Sequence, residues 1–328
     1  MKHAYNETSL YHLAVIKESK RWCTSGLIES TQLQNIEQAY RCEFYHPNIV
    51  IRILLFIATL FALSGVTGFF ALLFGDSGEN VLPVACLAYG LISFALLDSI
   101  LIKKHHHYKS GVTEALMYHA CGFTIVGLSW MLKLDTYAVL ASCFVVFSFA
   151  AFRYLDLLNT IGAIGSFAGL LFYVCHGAGG IFQQIIPFVF IFCFGAVYAI
   201  ARKQKKHDHL QSWLPNLTII EAISLLLVYA AGNYLVVREL SIELMGLELA
   251  EGQDIPFAFL FYALTVMLPV SFFYIGIKKK DVLALRVSLV AIAFTVFTFK
   301  YYYGFGHPEI SLTVAGGLLF AIALLVSN

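Results

Sequence analysis

The chain has 328 residues, of which 59% are apolar and only 12% are charged, and its formal net charge is +1. A soluble domain usually carries about 25% charged and about 45–50% apolar residues. This composition excludes an ordinary soluble enzyme, a disordered chain, a disulfide-rich secreted module and a nucleic-acid-binding protein. We therefore predict an all-α, polytopic integral membrane protein whose main partner is the lipid bilayer.

Residues 1–47 precede the first long apolar run and lack the basic start, apolar core and cleavage site of a signal peptide. Their pattern predicts two short helices. The first spans about 9–25 and is followed by Gly26 as a left-handed cap. The second begins near Ser30 or Thr31, and Thr31 forms a predicted capping box with Gln34. Two helices of this size bury too little surface to be stable alone, so we expect a cytoplasmic hairpin that docks on the membrane bundle or on a partner protein.

The hairpin carries the pattern W-x3-GLI-x3-Q-x3-I-x3-Y. Its residues are Trp22, Gly26, Leu27, Ile28, Gln32, Ile36 and Tyr40. The pattern resembles the bacterial predicted membrane protein family known as domain of unknown function 2157, specifically over about residues 15–75 and only generally beyond. The chain departs from that family after the first span, where an aromatic-rich polar stretch is common. The resemblance implies a bacterial inner-membrane protein with a cytoplasmic helical hairpin, and it implies no activity and no catalytic residues.

Residues 48–328 contain ten apolar runs, each about long enough to cross a bilayer as a helix. The runs lie at about 50–74, 81–102, 112–132, 135–152, 157–176, 181–201, 214–236, 256–277, 282–303 and 310–327. The run at 135–152 has the weakest support, because it is short and Lys133 and Asp135 blur its start. Removing it would place the later basic loops on the opposite side of the membrane, so the charge pattern argues for keeping it.

Basic residues cluster in alternate loops. The clusters are Lys103 to Lys109, Arg153, Arg202 to Lys206 and Lys278 to Lys280. All but three of the 21 Lys and Arg residues fall on this side, the exceptions being Lys133, Arg238 and Lys300. Lys and Arg concentrate on the cytoplasmic side of membrane proteins. The pattern predicts an even number of spans with both termini in the cytoplasm.

The ten runs also divide into two sets of five, 50–176 and 181–327. An odd number of spans in each set would make the two sets inverted repeats, which is a transporter trait. This size and layout resemble the drug/metabolite transporter class by architecture, although no sequence motif is shared between the two sets.

Ionisable side chains within the runs are the main candidates for a functional site, because such groups are costly at membrane depth. The candidates are Asp98, Glu114, His119 and Glu221. Together with Arg52, Arg153 and Arg286 they would form a polar vestibule open to the cytoplasm. The alternative is that they pair with nearby Arg and Lys residues and fix helix ends, which we favour for Asp98 and Glu114. Glu221 is the best functional candidate because no basic residue is close to it in sequence.

Two prolines lie inside predicted spans, Pro187 in the sixth and Pro269 in the eighth. A proline inside a helix frees a backbone carbonyl, and broken helices of this kind build binding sites in transporters. Ordinary kinks would give the same sequence pattern.

The seven cysteines form no C-x-x-C pair, and we interpret them as small apolar residues in helix contacts. Two loops are rich in histidine. These histidines are His105, His106, His107, His207 and His209. Imidazoles bind Zn or Ni, but both clusters lie in Lys-rich loops where positive charge is expected, so the pattern favours no metal site and no cofactor.

No hydrolase elbow, zinc-protease motif, P-loop or dinucleotide fingerprint is present, and we predict no enzymatic activity. The leading hypothesis is a transporter of a small solute or lipid-like molecule, whose identity the sequence does not reveal. The alternative is a membrane scaffold or regulatory subunit that docks partners through the N-terminal hairpin and the acidic loop 238–255.

Overall fold

The computed structural model describes residues 3–75, 81–247 and 253–303, apart from the side chains of Asp208, His209 and Tyr303. This part of the chain is helical, with no strand beyond one isolated bridge pair. The α-helices are α1 (Glu7–Thr24), α2 (Ser30–Ala39), α3 (Ile49–Phe74), α4 (Val81–Leu96), α5 (Val112–Met131), α6 (Thr136–Tyr154), α7 (Leu157–Ala178), α8 (Ile181–Gln204), α9 (Leu214–Gly232), α10 (Tyr234–Glu243), α11 (Ala258–Lys278) and α12 (Val282–Tyr303). A π-helical segment, Leu97–Lys104, extends α4, and a 3-10 segment, Asp208–Trp213, precedes α9.

Eight of the described helices are long and apolar enough to cross a membrane, which supports a multi-pass membrane protein. The count is eight rather than the predicted ten. The run predicted at 112–132 is a helix, α5, but polar residues such as Glu114 and His119 make it less apolar than the eight. The run predicted at 310–327 lies outside the described residues. The run at 135–152, with the weakest sequence support, forms α6 and is one of the eight.

The chain divides into two compact units, residues 1–167 and 168–328, with the division inside α7. In the first unit α5 packs against α3, α4 and α6. The α4–α5 contact is close, because a Cβ atom at Gly127 would lie 2.4 Å from the backbone nitrogen of Leu87. Helix α5 is therefore surrounded by protein, which explains how a helix in a membrane bundle keeps buried polar residues.

The N-terminal segment forms two helices, α1 and α2, that contact each other. Gly26 has the expected left-handed backbone, with φ of 71°, and ends the turn after α1. The predicted capping box of Thr31 and Gln34 is wrong. Instead, Gln32 accepts a 2.9 Å hydrogen bond from the backbone N–H of Glu29, because the N-cap of α2 is Glu29, two residues before Thr31.

The open end of the hairpin is bound to the rest of the first unit. The N–H of Ala4 donates to the carbonyl of Arg153 at 2.8 Å, and Tyr45 forms a parallel bridge with His107. Tyr5 packs edge-on against Tyr108, with ring centroids 4.9 Å apart. These contacts favour a hairpin that is an integral cap of the first unit.

In the second unit α8 packs against α9, and α9, α11 and α12 pack together. The run predicted as one span at 214–236 is broken at Asn233, which has an extended backbone between α9 and α10. The Asn233 side chain caps α10 by accepting a 3.2 Å hydrogen bond from the N–H of Val236. The break places α10 beside the ends of α9 and α11 and so leaves space between α8 and α9.

Candidate functional site

Two of the predicted carboxylates lie in the first unit, and each has an arginine partner. Glu114 accepts a 2.5 Å hydrogen bond from Arg52, and its second oxygen caps α5 through the N–H of Gly111 at 2.8 Å. Asp98 bonds Arg153 across the helix ends. Both arrangements fix helix ends.

His119 also lies in the first unit, in a largely aromatic setting. Its Nε2 is 3.2 Å from the hydroxyl of Thr67, its ring centroid is 4.6 Å from that of Phe123, and Tyr89 packs edge-on at 5.4 Å. These contacts join α3, α4 and α5 and explain how an imidazole is accommodated among apolar helices.

A small polar pocket lies beneath the N-terminal segment, lined in part by Tyr5, Lys109, Glu114 and Asp156. Burial lowers the pKa of Lys109 and raises that of Tyr5. The cavity volume is only about 10 Å³, close to the space that a single water molecule needs. The pocket is therefore too small for a solute.

Glu221 lies in the second unit and bonds Lys205, which is 16 residues away in sequence. Its partner was not apparent from the sequence because the two residues lie on different helix segments and meet only when α8 packs on α9. A second ion pair, Arg202 to Asp281 at 2.8 Å, lies at the same basic ends of the helices. Glu221 is thus part of an ion-paired helix end.

The histidine-rich loops show no metal arrangement in the part of the chain that is described. The rings of His105 and His107 are 6.4 Å apart, and Nδ1 of His107 is 2.9 Å from the Ser110 hydroxyl. The side chain of His209, one of the predicted candidates, lies outside the described residues.

The larger cavities are elsewhere, in the second unit near the Gly180 end of α8. One has a volume of about 120 Å³ and a partly polar wall. It is lined by Gly180, Gln183, Gln184, Pro187, Val237, Ser241, Met245, Leu247, Ile255, Pro256 and Phe261. We call it the polar chamber.

The second cavity has a volume of about 130 Å³ and an apolar wall. It is lined by Phe172, Ile186, Pro187, Phe190, Leu227, Ala230, Ala231, Val236, Val237, Leu240 and Met245. We call it the apolar chamber. The two chambers share Pro187, Val237 and Met245 in their walls, so they lie side by side, and we refer to them together as the two-part cavity.

The local sequence explains this site. Pro187 has no N–H and so cannot donate the helical hydrogen bond to the carbonyl of Gln183. Gln183 is one of the residues that line the polar chamber. Ala230 and Ala231 present only methyl groups to the apolar chamber, and the break at Asn233 turns the chain into α10. Small side chains and a redirected helix together leave the space unfilled.

The polar chamber offers hydrogen-bonding groups without formal charge. The amide of Gln183 donates to the carbonyl of His176 at 3.3 Å, and the Ser241 hydroxyl donates to the carbonyl of Val237 at 2.7 Å. The Ser241 oxygen keeps its acceptor capacity, and the exposed amide of Gln184 offers both donors and an acceptor. Sequence analysis missed these residues, and its only signal was Pro187.

Comparisons with protein-family models, with curated proteins and with solved structures found no match.

Proposed function

We propose that this chain is a ten-span bacterial inner-membrane protein that binds a small amphiphilic molecule in the two-part cavity and moves it across the membrane. The topology part of the proposal rests on the eight membrane-length helices, on α5 and on the apolar run at 310–327. The distribution of Lys and Arg supports cytoplasmic termini. The hairpin pattern supports membership of the domain of unknown function 2157 family.

The observation that carries the binding part is that a polar and an apolar chamber are adjacent and share three wall residues. An amphiphilic molecule has one part that needs hydrogen bonds and one that avoids water, and a binding site usually combines a largely apolar wall with a few polar groups. The shared walls at Pro187, Val237 and Met245 place the two chambers side by side, and the proposed ligand occupies both.

The position of the cavity is suited to exchange with one side of the membrane. Pro187 lies six residues inside α8, which corresponds to about 9 Å from its first residue. That end of α8 is opposite the basic end at Arg202. With cytoplasmic basic ends, the cavity lies in the outer half of the second unit and would receive or release its ligand there.

Native mass spectrometry of the protein extracted from its own membrane tests this proposal. We expect a bound small molecule that Ala230→Trp removes, because the indole would fill the apolar chamber. Ala199→Trp is the matched control, since Ala199 is exposed on α8 and lines neither chamber. A ligand retained in Ala230→Trp, or no ligand in the unmodified protein, would contradict the proposal.

Exposed apolar residues at the tip of the hairpin favour a second candidate function, the docking of a partner protein. Leu27 is 73% exposed and Trp22 is 42% exposed, although both belong to the sequence pattern of the hairpin. The double variant Trp22→Ala/Leu27→Ser tests this alternative, because the tip lies away from the contacts at Ala4 and Tyr45. Loss of a stoichiometric partner would support docking, and an unchanged set of partners would exclude it.

A further inference from the structure

We propose that the two-part cavity selects uncharged molecules, with a neutral hydrogen-bonding head in the polar chamber and an apolar group about the size of one aromatic ring in the apolar chamber. This inference rests on the proposed function, since it names the ligand class of the same site.

The absence of charge in the described walls is the first argument. Neither chamber is lined by an Asp, Glu, Lys, Arg or His side chain among the residues that the structure describes. An ion moved from water into such a site would lose its hydration without gaining a counter-charge, which is strongly unfavourable. The described walls therefore offer no counter-charge to an anion or a cation, unlike a vestibule built on Glu114 or Glu221.

The second argument compares the two prolines inside helices. Pro269 frees the carbonyl of Thr265, and the hydroxyl of Thr295 approaches that carbonyl at 2.9 Å. Pro187 frees the carbonyl of Gln183 in the same way, but the described residues include no side-chain donor to it. The Gln183 carbonyl thus lacks its helical donor, and Gln183 lines the polar chamber together with Ser241 and Gln184. A head with both a donor and an acceptor, such as a primary amide or a hydroxyl group, matches this set.

The third argument is size. An engineered protein cavity of about 150 Å³ with an apolar lining accommodates benzene. The apolar chamber has a volume of about 130 Å³ and is lined by Phe172, Phe190 and aliphatic residues. It therefore fits a single ring or a short branched chain, and it does not fit the two long chains of a phospholipid.

A series of four probes that share one aromatic ring tests the inference. The probes are benzamide, benzoate, benzylammonium and toluene, titrated at neutral pH into the full-length protein in nanodiscs of zwitterionic lipid. Specific binding is defined as the signal that is lost in Ala230→Trp and kept in Ala199→Trp. This definition excludes the signal that comes from partition of the probe into lipid. We expect benzamide to bind about tenfold more tightly than either ion. We expect Ser241→Ala to weaken the binding of benzamide and to leave the binding of toluene unchanged.

The outcomes separate the two proposals. Benzoate or benzylammonium binding as tightly as benzamide, with the same loss in Ala230→Trp, would overturn the selection for neutral molecules and leave the cavity a ligand site. Toluene binding more tightly than benzamide would overturn the role of the polar chamber. If no probe gives a signal that depends on Ala230, this inference fails, while a natural ligand detected by native mass spectrometry would still uphold the proposed function.

Discussion

The hydroxyl oxygen of Thr295 lies 2.9 Å from the carbonyl oxygen of Thr265, the acceptor that Pro269 deprives of its helical donor. The same hydroxyl is 2.8 Å from the hydroxyl of Tyr229, which accepts a 2.9 Å hydrogen bond from the side-chain amide of Asn233. A chain of hydrogen bonds therefore connects the break between α9 and α10 with the proline in α11. Successive bonds of this kind polarise and strengthen one another.

Replacing Thr295 by valine removes the central hydroxyl of this chain at nearly constant volume. We expect Thr295→Val to lower the free energy of unfolding by about 1–2 kcal/mol, because it removes the hydroxyl near the Thr265 carbonyl and one of the two partners of the Tyr229 hydroxyl. Circular dichroism during denaturation in detergent measures the loss. Thr218→Val is the control, since the exposed Thr218 hydroxyl bonds only the Leu214 carbonyl of its own helix.

A double-mutant cycle with Pro269→Ala tests the explanation itself. An alanine at this position restores the backbone N–H that the Thr265 carbonyl lacks. The destabilisation caused by Thr295→Val should therefore be smaller in the Pro269→Ala background than in the unmodified protein. Equal destabilisation in both backgrounds would show that the Thr295 hydroxyl does not compensate for the proline.

The ion pair of Lys205 and Glu221 makes an asymmetric prediction. The Glu221 side chain is 5% exposed and that of Lys205 is 22% exposed. Lys205→Met would leave a buried carboxylate without a partner, and we expect it to cost about 3 kcal/mol of unfolding free energy. Glu221→Gln should cost less, because the long lysine side chain extends to water. The same denaturation measurement compares the two variants.

The double variant Lys205→Met/Glu221→Gln should recover much of the stability that Lys205→Met loses, because no unpaired charge remains. A larger loss in Glu221→Gln than in Lys205→Met would contradict the structural role assigned to this pair. That result would instead favour a role of Glu221 in transport.

The helical content and most helix positions could be predicted from the sequence, because a helix that crosses the bilayer needs a run of about 20 apolar residues. Helix α5 shows where this relation weakens. Its buried polar residues, including Glu114, are tolerated because other helices surround it. The hydropathy of a segment contains no information about which helices pack around it. The break at Asn233 was missed for a related reason. A single extended residue, bonded to Thr298 some 65 positions later, interrupts an otherwise continuous apolar pattern.

The candidate site was harder to predict than the fold. The sequence analysis selected charged residues within the apolar runs as candidates for the site. In the structure Asp98, Glu114 and Glu221 each pair with a basic residue that lies far away in sequence. The apolar chamber is instead lined by Ala230, Ala231 and other apolar side chains, which do not fill the space between their helices. Space between helices is a property of tertiary packing, and residue type reveals it only where a proline such as Pro187 interrupts a helix.

The cap of α2 provides a test in the hairpin, where sequence and structure disagree. Gln32→Ala should remove the hydrogen bond to the N–H of Glu29 and destabilise α2 by about 0.5–1 kcal/mol. Hydrogen exchange of the α2 amides, measured by mass spectrometry, should therefore become severalfold faster. Gln34→Ala, at the equally exposed position of the predicted box, should leave exchange unchanged. The reverse order would favour the box of Thr31 and Gln34.

The docking of the N-terminal segment should weaken in acid. The backbone of Tyr45 pairs with the loop around His107, and the two rings lie 4.9 Å apart. Burial lowers the pKa of His107 when the segment is docked, and the charge of neighbouring His105 lowers it further. An undocked His107 has a pKa near the usual value of about 6.5, so the undocked state binds more protons as the pH falls through that value. Proton uptake therefore favours undocking as the pH falls below about 6.5.

The thiol of Cys42 reports this undocking, because it lies 3.7 Å from the carbonyl of Ser9 where the hairpin meets the segment that docks. We expect the rate of maleimide labelling at Cys42, relative to the same rate in His107→Gln, to rise as the pH is lowered. The glutamine keeps a hydrogen-bonding partner for Ser110 and does not titrate, and the ratio cancels the pH dependence of the reagent. Labelling of Cys23, which lies near the hairpin tip, should show no such change. A constant ratio at Cys42 would show that His107 does not control docking.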